Sequence, residues 1–215
     1  FSYLFPSRSN LFARAELGLW DIKAPALEAR LRGGGRAGPV DEEALGPGID
    51  NTLRTARLWL SKALGEAAEL ELGSSYAWGK APEEGGRRDQ IDLLAFDVTY
   101  RRWPGTFSRI MLQGEYLSHR HDAVGGQKRR DGYYLFAGYK PTRYWEYGLR
   151  YDLTAFPFPI EGRESSLSAI LTNYLNETTF ARLQLKHGSR PGKDSFSEIW
   201  LQFVFGAGPH AHPLQ

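Results

Sequence analysis

Cysteine is absent from the 215 residues. That excludes a disulfide scaffold, thiolate metal sites and thiol catalysis. No run of 18 apolar residues occurs, which rules out a membrane-spanning helix and leaves a membrane-spanning barrel open. Charge of one sign is also lacking: 27 Lys and Arg against 25 Asp and Glu leave a net charge of +2. Nucleic-acid binders usually show a marked basic excess, so no nucleic-acid partner is expected. No basic stretch followed by an apolar one opens the chain after Phe1, so no signal peptide is visible. Helical patterning is nearly missing, and its best stretch, 41–45, is too short to matter. Gly33-Gly34-Gly35 has no strand-then-helix context and is not a phosphate cradle. No cofactor is expected.

What the chain does have is aromatic residues and glycine. There are 11 Tyr, 12 Phe, 6 Trp and 24 Gly, with only 1 Met. Such composition suits all-β architecture, barrels with interfacial aromatic belts in particular. The hydropathy period agrees. Trp145, Tyr147, Leu149, Tyr151 and Leu153 fall on one face of a strand, and Glu146, Gly148, Arg150, Asp152 and Thr154 on the other. Leu94, Phe96, Val98 and Tyr100 oppose Asp97, Thr99 and Arg101 in the same way. Ile199, Leu201, Phe203 and Phe205 oppose Glu198 and Gln202. The alternation predicts about eleven strands, near 10–20, 26–33, 52–62, 67–78, 91–102, 107–120, 132–140, 143–154, 165–175, 179–188 and 196–206.

The connections alternate short and long. Short ones are 21–25, 63–67, 103–106, 141–142 and 176–178; long ones are 33–51, 79–90, 121–131 and 157–164, with a moderate one at 188–195. All short turns then lie at one end and all long loops at the other, the layout of an outer-membrane barrel. The fold class expected is an antiparallel transmembrane β-barrel. Residues 1–206 form it and 207–215 make a periplasmic tail. On this layout strand 10–20 runs downward, and 1–5 is the top of an upward strand. The odd count reads as the C-terminal part of a larger even-stranded barrel; a 12-strand barrel with 1–5 as a truncated first strand is the alternative.

The polar faces carry the functional material. Arg14, Glu16, Glu28, Arg30, Arg32, Arg57, Glu69, Glu71, Asp97, Arg101, Arg109, Glu115, Glu146, Arg150, Asp152, Arg182, Lys186 and Glu198 share the side opposite the apolar residues. A charge facing lipid at mid-membrane costs about 2–4 kcal/mol for Arg or Lys. These residues are therefore expected to face a water-filled lumen and to select small polar or charged solutes, with stiffening ion pairs as the simpler role. His119 and His121, two apart on a strand with Asp122 beside them, are candidate zinc ligands. His210 and His212 repeat the spacing in the tail, too far away to join the same ion. Ser118, His119 and Asp122 are triad residue types, but neighbours on a strand point to opposite faces, so no catalytic site is assigned. Arg87-Arg88 and Lys128-Arg129-Arg130 are candidates for contact with lipopolysaccharide, a solvated loop being the simpler reading.

Trp20, Trp103, Tyr144, Trp145, Phe180 and Phe205 lie beside short turns, and Tyr76, Trp78, Tyr116, Phe156 and Phe158 near long loops. They read as two aromatic belts at the lipid–water boundaries. The last strand, Ile-x-Leu-x-Phe-x-Phe from Ile199, resembles the closing strand that the barrel-assembly machinery recognises.

Leu58–Trp78, Leu93–Trp103, Arg143–Phe156 and Ser197–Leu214 resemble the C-terminal half of porin-like outer-membrane proteins often labelled zinc-regulated TonB-dependent outer-membrane receptors. The ending Gly208-Pro209-His210-Ala211-His212-Pro213 looks like that family's Gly-Pro-His-x-x-His-Pro tail, with one residue fewer between the histidines. The resemblance implies outer-membrane location and solute passage. No plug domain or TonB-box segment is visible in the chain. Three functions follow as expectations: a porin-like channel, the barrel of an energised receptor, or a soluble β-barrel holding a small apolar ligand. The last requires the apolar faces to point inward.

Overall fold

Strict alternation of polar and apolar side chains is satisfied by a two-faced strand, and every regular element among the described residues is one. A computed structural model describes residues 1–6, 10–22, 50–80, 89–123, 126–156, 161–176 and 178–206. Among these residues eleven strands follow in chain order: β1 Ser2–Phe5, β2 Leu11–Ile22, β3 Asp50–Ala63, β4 Ala68–Lys80, β5 Gln90–Arg102, β6 Arg109–Ala123, β7 Gly126–Lys140, β8 Trp145–Ala155, β9 Arg163–Tyr174, β10 Phe180–Arg190 and β11 Lys193–Val204. They form one sheet in sequence order, each strand antiparallel to the next. Among the described residues there is no helix, and β1 and β11 do not touch.

The register keeps the two faces apart across the whole sheet. Leu60 stands opposite Leu72, Leu72 opposite Val98, and Val98 opposite Gly114. Leu135 then faces Tyr151, Tyr151 faces Leu167, and Leu171 faces Leu183. The other face matches in the same way, with Asp97 opposite Glu115, Glu115 opposite Tyr134 and Tyr134 opposite Asp152. A slip of one residue would exchange the faces, so apolar matching pins the register.

Local chemistry closes the short turns. Asn176 Oδ1 accepts the N–H groups of Thr178 and Thr179 at 2.9 and 2.7 Å. Thr142 Oγ1 accepts those of Tyr144 and Trp145, both at 3.3 Å. Between β10 and β11, Pro191 and Gly192 make a two-residue turn with Gly192 at φ 77°, a conformation that favours glycine.

Three expectations change. The predicted strand 26–33 lies outside the described residues, while Ser2–Phe5 is a strand paired with β2. β2 pairs directly with β3, Ile22 opposite Asn51, so it runs opposite to the direction expected for 10–20. Alternation reports faces, not direction; the direction had rested on a strand at 26–33. The third change is at the long-loop end. Residues 121–131 are mostly strand, Asp122 pairing with Gln127 and Ala123 with Gly126. Both faces are polar there, so no alternation marked the strand. Residues 188–195 are likewise strand around the tight Pro191-Gly192 turn.

The distribution of exposure inverts that of a water-soluble core. Buried residues are chiefly polar: Ser61, Asp92, Thr99, Ser118, His121, Glu146, Ser166, Ser168 and Thr172, against Ile91 and Ala95 alone among described hydrophobic residues. Large apolar side chains are exposed, Leu149 by 59% and Ile199 by 72%.

Candidate functional site

The sheet curves with its polar face inward. Side chains from β5 through β11 line one cavity of about 750 Å³, among them Glu115, Tyr134, Arg150, Arg182, Lys186 and Glu198. The apolar faces of β8 and β11 lie on the other side, in the open. That is the reverse of what a barrel with an apolar centre requires.

The register decides which charges meet on the concave wall. Arg57, on β3, reaches across β4 to Asp97 on β5 at 2.9 Å and donates to Ser75 at 2.7 Å. Gly73 lies beneath the Asp97 carboxylate and leaves room for this crossing. Arg101 bridges Glu71 at 2.9 Å and Glu69 at 3.5 Å. Arg14 pairs with Glu16 at 3.2 Å, and Arg150 with Asp152 at 2.7 Å. Arg109 meets Glu146 at 2.9 Å. Glu146 is only 7% exposed and also accepts the Tyr174 hydroxyl at 2.8 Å. Lys186 meets Glu164 at 3.1 Å, while Arg190 joins Glu164 and Glu198 at 3.2 and 3.3 Å. Arg182 donates to the Thr172 hydroxyl at 3.0 Å and, among the described residues, meets no carboxylate. Glu115 likewise has no ion pair among them. Arg30, with Glu28 and Arg32, lies outside the described residues.

Sequence reasoning missed several groups on this wall. Glu164 and Arg190 fall in the expected loops 157–164 and 188–195, yet their parity with Ser166 and Lys186 puts them on the concave face. Lys140 and Tyr174 sit at strand ends, where alternation runs out, yet the Lys140 ammonium stands 3.9 Å from the Tyr174 ring centre. Aromatic rings also lie flat along the wall. Arg150 stacks 3.9 Å from the Tyr134 ring centre. The Phe136 ring covers Gly138 and Gly148, where an added Cβ would come within 2.9 and 2.7 Å of it. Such glycines make room for a ring to lie against the backbone.

His119 and His121 do share the concave side of β6, and His121 Nε2 is 3.6 Å from Asp89 Oδ2. The described residues hold no group of three or more His, Cys, Asp or Glu placed to bind a metal. His210 and His212 lie outside them. Ser118 turns to the other face and accepts Arg129 Nε at 2.9 Å, so it and His119 are separated by the strand.

On the convex face each strand carries an apolar run in alternate positions. It extends over Leu94–Tyr100 on β5, 133–139 on β7 and 145–153 on β8. Polar pairs close this band toward the long-loop end: Arg120 with Asp92 at 2.8 Å, Arg163 with Asp131 at 2.7 Å, Arg129 with Ser118, and His187 with Ser197 at 2.9 Å. Trp103, Tyr144, Trp145 and Phe205 are exposed at the short-turn end, and Tyr76 stacks on Trp78 at the other, ring centres 5.1 Å apart. Two belt assignments are corrected. Trp20 stands at the long-loop end because β2 is reversed, on the concave side with its indole N–H on Thr55 at 3.1 Å. Phe180 is also concave, packed against Tyr174 at 5.7 Å. Phe158, Arg87 and Arg88 lie outside the described residues.

No protein-family model and no curated protein matches the chain. Among solved structures the chain is similar to the CymD monoaromatic hydrocarbon channel, at 14% identity and a TM-score of 0.44 over 95% of this chain and 70% of that one.

Proposed function

We propose that the chain forms the wall of a bacterial outer-membrane channel that passes small polar or charged solutes. The observation that carries this reading is the inverted polarity: ion pairs and hydroxyls on the concave side, large apolar side chains on the convex side. Seven residues of apolar run, as in Leu94–Tyr100, extend about 20 Å along a strand, and the nine of 145–153 about 27 Å. At a strand tilt near 40° the longer run rises about 21 Å, most of a hydrocarbon band of about 25 Å. Aromatic residues at both ends of the band and the polar pairs above it fit the two interfaces. The exposed apolar residues of β11 at the sheet's margin suit recognition by the barrel-assembly machinery. Arg129, outward and anchored on the hydroxyls of Ser118 and Tyr116 at 2.9 Å each, suits contact with lipopolysaccharide.

The reading as an energised, TonB-dependent receptor barrel rests on the tail resemblance. Planar-bilayer conductance separates the two readings. A channel gives a steady current linear in voltage at low potential. Demonstrated insertion without steady current overturns the channel and favours a plugged barrel.

A further inference from the structure

Among the described residues, nearly every cation on the concave wall has its carboxylate, and the exceptions fall in one place. Adjacent strands bring Arg109, Lys140, Glu146, Thr172 and Arg182 to nearly the same height at the short-turn end. Arg109 is opposite Lys140, Glu146 opposite Thr172, and Thr172 opposite Arg182. Three cations share one carboxylate. Glu146 is already engaged by Arg109 at 2.9 Å and by the Tyr174 hydroxyl at 2.8 Å. Among the described residues, Lys140 and Arg182 have no carboxylate within ion-pair distance; their partners are neutral. Lys140 rests on the Tyr174 ring at 3.9 Å. Arg182 stands 5.2 Å from the Phe180 ring centre and gives its Nε–H to Thr172, itself 1% exposed. The two rings touch, centres 5.7 Å apart, so one continuous set of contacts joins the two cations.

We propose that this row is an anion-recognition site that takes the carboxylate of small organic acids at the short-turn mouth of the channel. The proposal rests on the channel reading and names its solute class. With Nε–H fixed on a buried hydroxyl, the Arg182 guanidinium is held in place and keeps its terminal N–H groups for the two oxygens of a carboxylate. Lys140 adds a second positive charge on the approach. Tyr174 and Phe180 offer apolar surface beside these cations, which favours an acid with an apolar body over a bare, strongly hydrated ion. The one concave carboxylate without an ion pair among the described residues, Glu115, is six residues from Arg109 on β6, about 20 Å along the strand. Unneutralised charges of opposite sign are thus separated along the channel, and the anion-attracting end is the short-turn end.

The test uses the full chain in two settings. In planar bilayers under a KCl gradient, the reversal potential should show preference for the anion. Lys140→Gln with Arg182→Gln should bring the anion-to-cation permeability ratio to about one, and Glu115→Gln should raise it. In detergent, benzoate should bind more tightly than chloride, and the double variant should weaken benzoate binding about tenfold or more. A conducting double variant with the wild-type permeability ratio overturns the proposal. So does equal affinity for benzoate and chloride, or benzoate binding unchanged in the double variant. Far-ultraviolet circular dichroism of the variants shows whether the sheet is intact. Absence of current from every protein, with benzoate binding lost in the double variant, would sink the channel and leave the anion site standing.

Discussion

Leu149→Arg tests the membrane reading at its most sensitive point. Leu149 is the middle residue of five alternate convex positions on β8, Trp145 to Leu153, and is 59% exposed. It lies four positions from either end, about 13 Å along the strand. A strand tilt near 40° turns that into a depth of about 10 Å below each boundary. Arginine there would face hydrocarbon near the midplane and cost about 2–4 kcal/mol. The folding equilibrium then shifts about 30- to 900-fold. On a protein whose convex face meets water, the same change at so exposed a site stays within about 0.5 kcal/mol. Gln113→Arg on the concave face of the neighbouring wall is the control, with an expected effect below about 1 kcal/mol. The assay is reversible denaturant unfolding from phospholipid vesicles, followed by tryptophan fluorescence. Equal midpoints for Leu149→Arg and wild type would refute a lipid-facing convex surface, whatever the conductance shows.

Glu164→Gln removes the carboxylate shared by Lys186 and Arg190, so the concave wall gains two partly unneutralised cations. Anion permeability relative to cation permeability should rise, read from the reversal potential. Gly148→Ala puts a Cβ within 2.7 Å of the Phe136 ring and should cost about 1–3 kcal/mol as the ring is displaced. Pairing it with Phe136→Leu should recover most of that loss in unfolding titrations; an unchanged penalty would show that the ring is not the obstacle. Gly192→Ala meets no atom within 4 Å but sits at φ 77°, and should cost about 1–2 kcal/mol through backbone strain alone. Gly192→Asn should lose less in the same unfolding measurement.

Faces were legible in the sequence because a strand has period two and the wall enforces it. Asp97, Glu115 and Asp152 could be placed together from parity alone, and the register aligns them. Parity says nothing about direction, which is why β2 was reversed and Trp20 moved to the opposite end. It also fails where both faces are polar, as in Gly126–Asp131, and at strand ends such as Lys140 and Tyr174. Which charges meet was less legible still. Arg57 reaches past β4 to Asp97 because Gly73 leaves the space, a contact set by side-chain length and a missing Cβ rather than by adjacency. The anion row depends on turns that bring ends of separate hairpins level, and no local pattern records that.

Sequence-ordered pairing has a consequence for how such a wall forms and changes. Among the described residues every strand pairs only with its neighbours in the chain, and side chains such as Arg57 reach just one strand further, so cohesion is nearly one-dimensional, a sum over successive hairpins. Contacts are close in sequence for strands of this length, and loop closure asks little entropy at each step. Folding can then advance one hairpin at a time from an existing edge. A duplicated or deleted hairpin leaves every other pairing intact and changes the girth by two strand spacings, about 10 Å. Width is therefore a property that gene-level copying can adjust without redesigning any ion pair outside the seam.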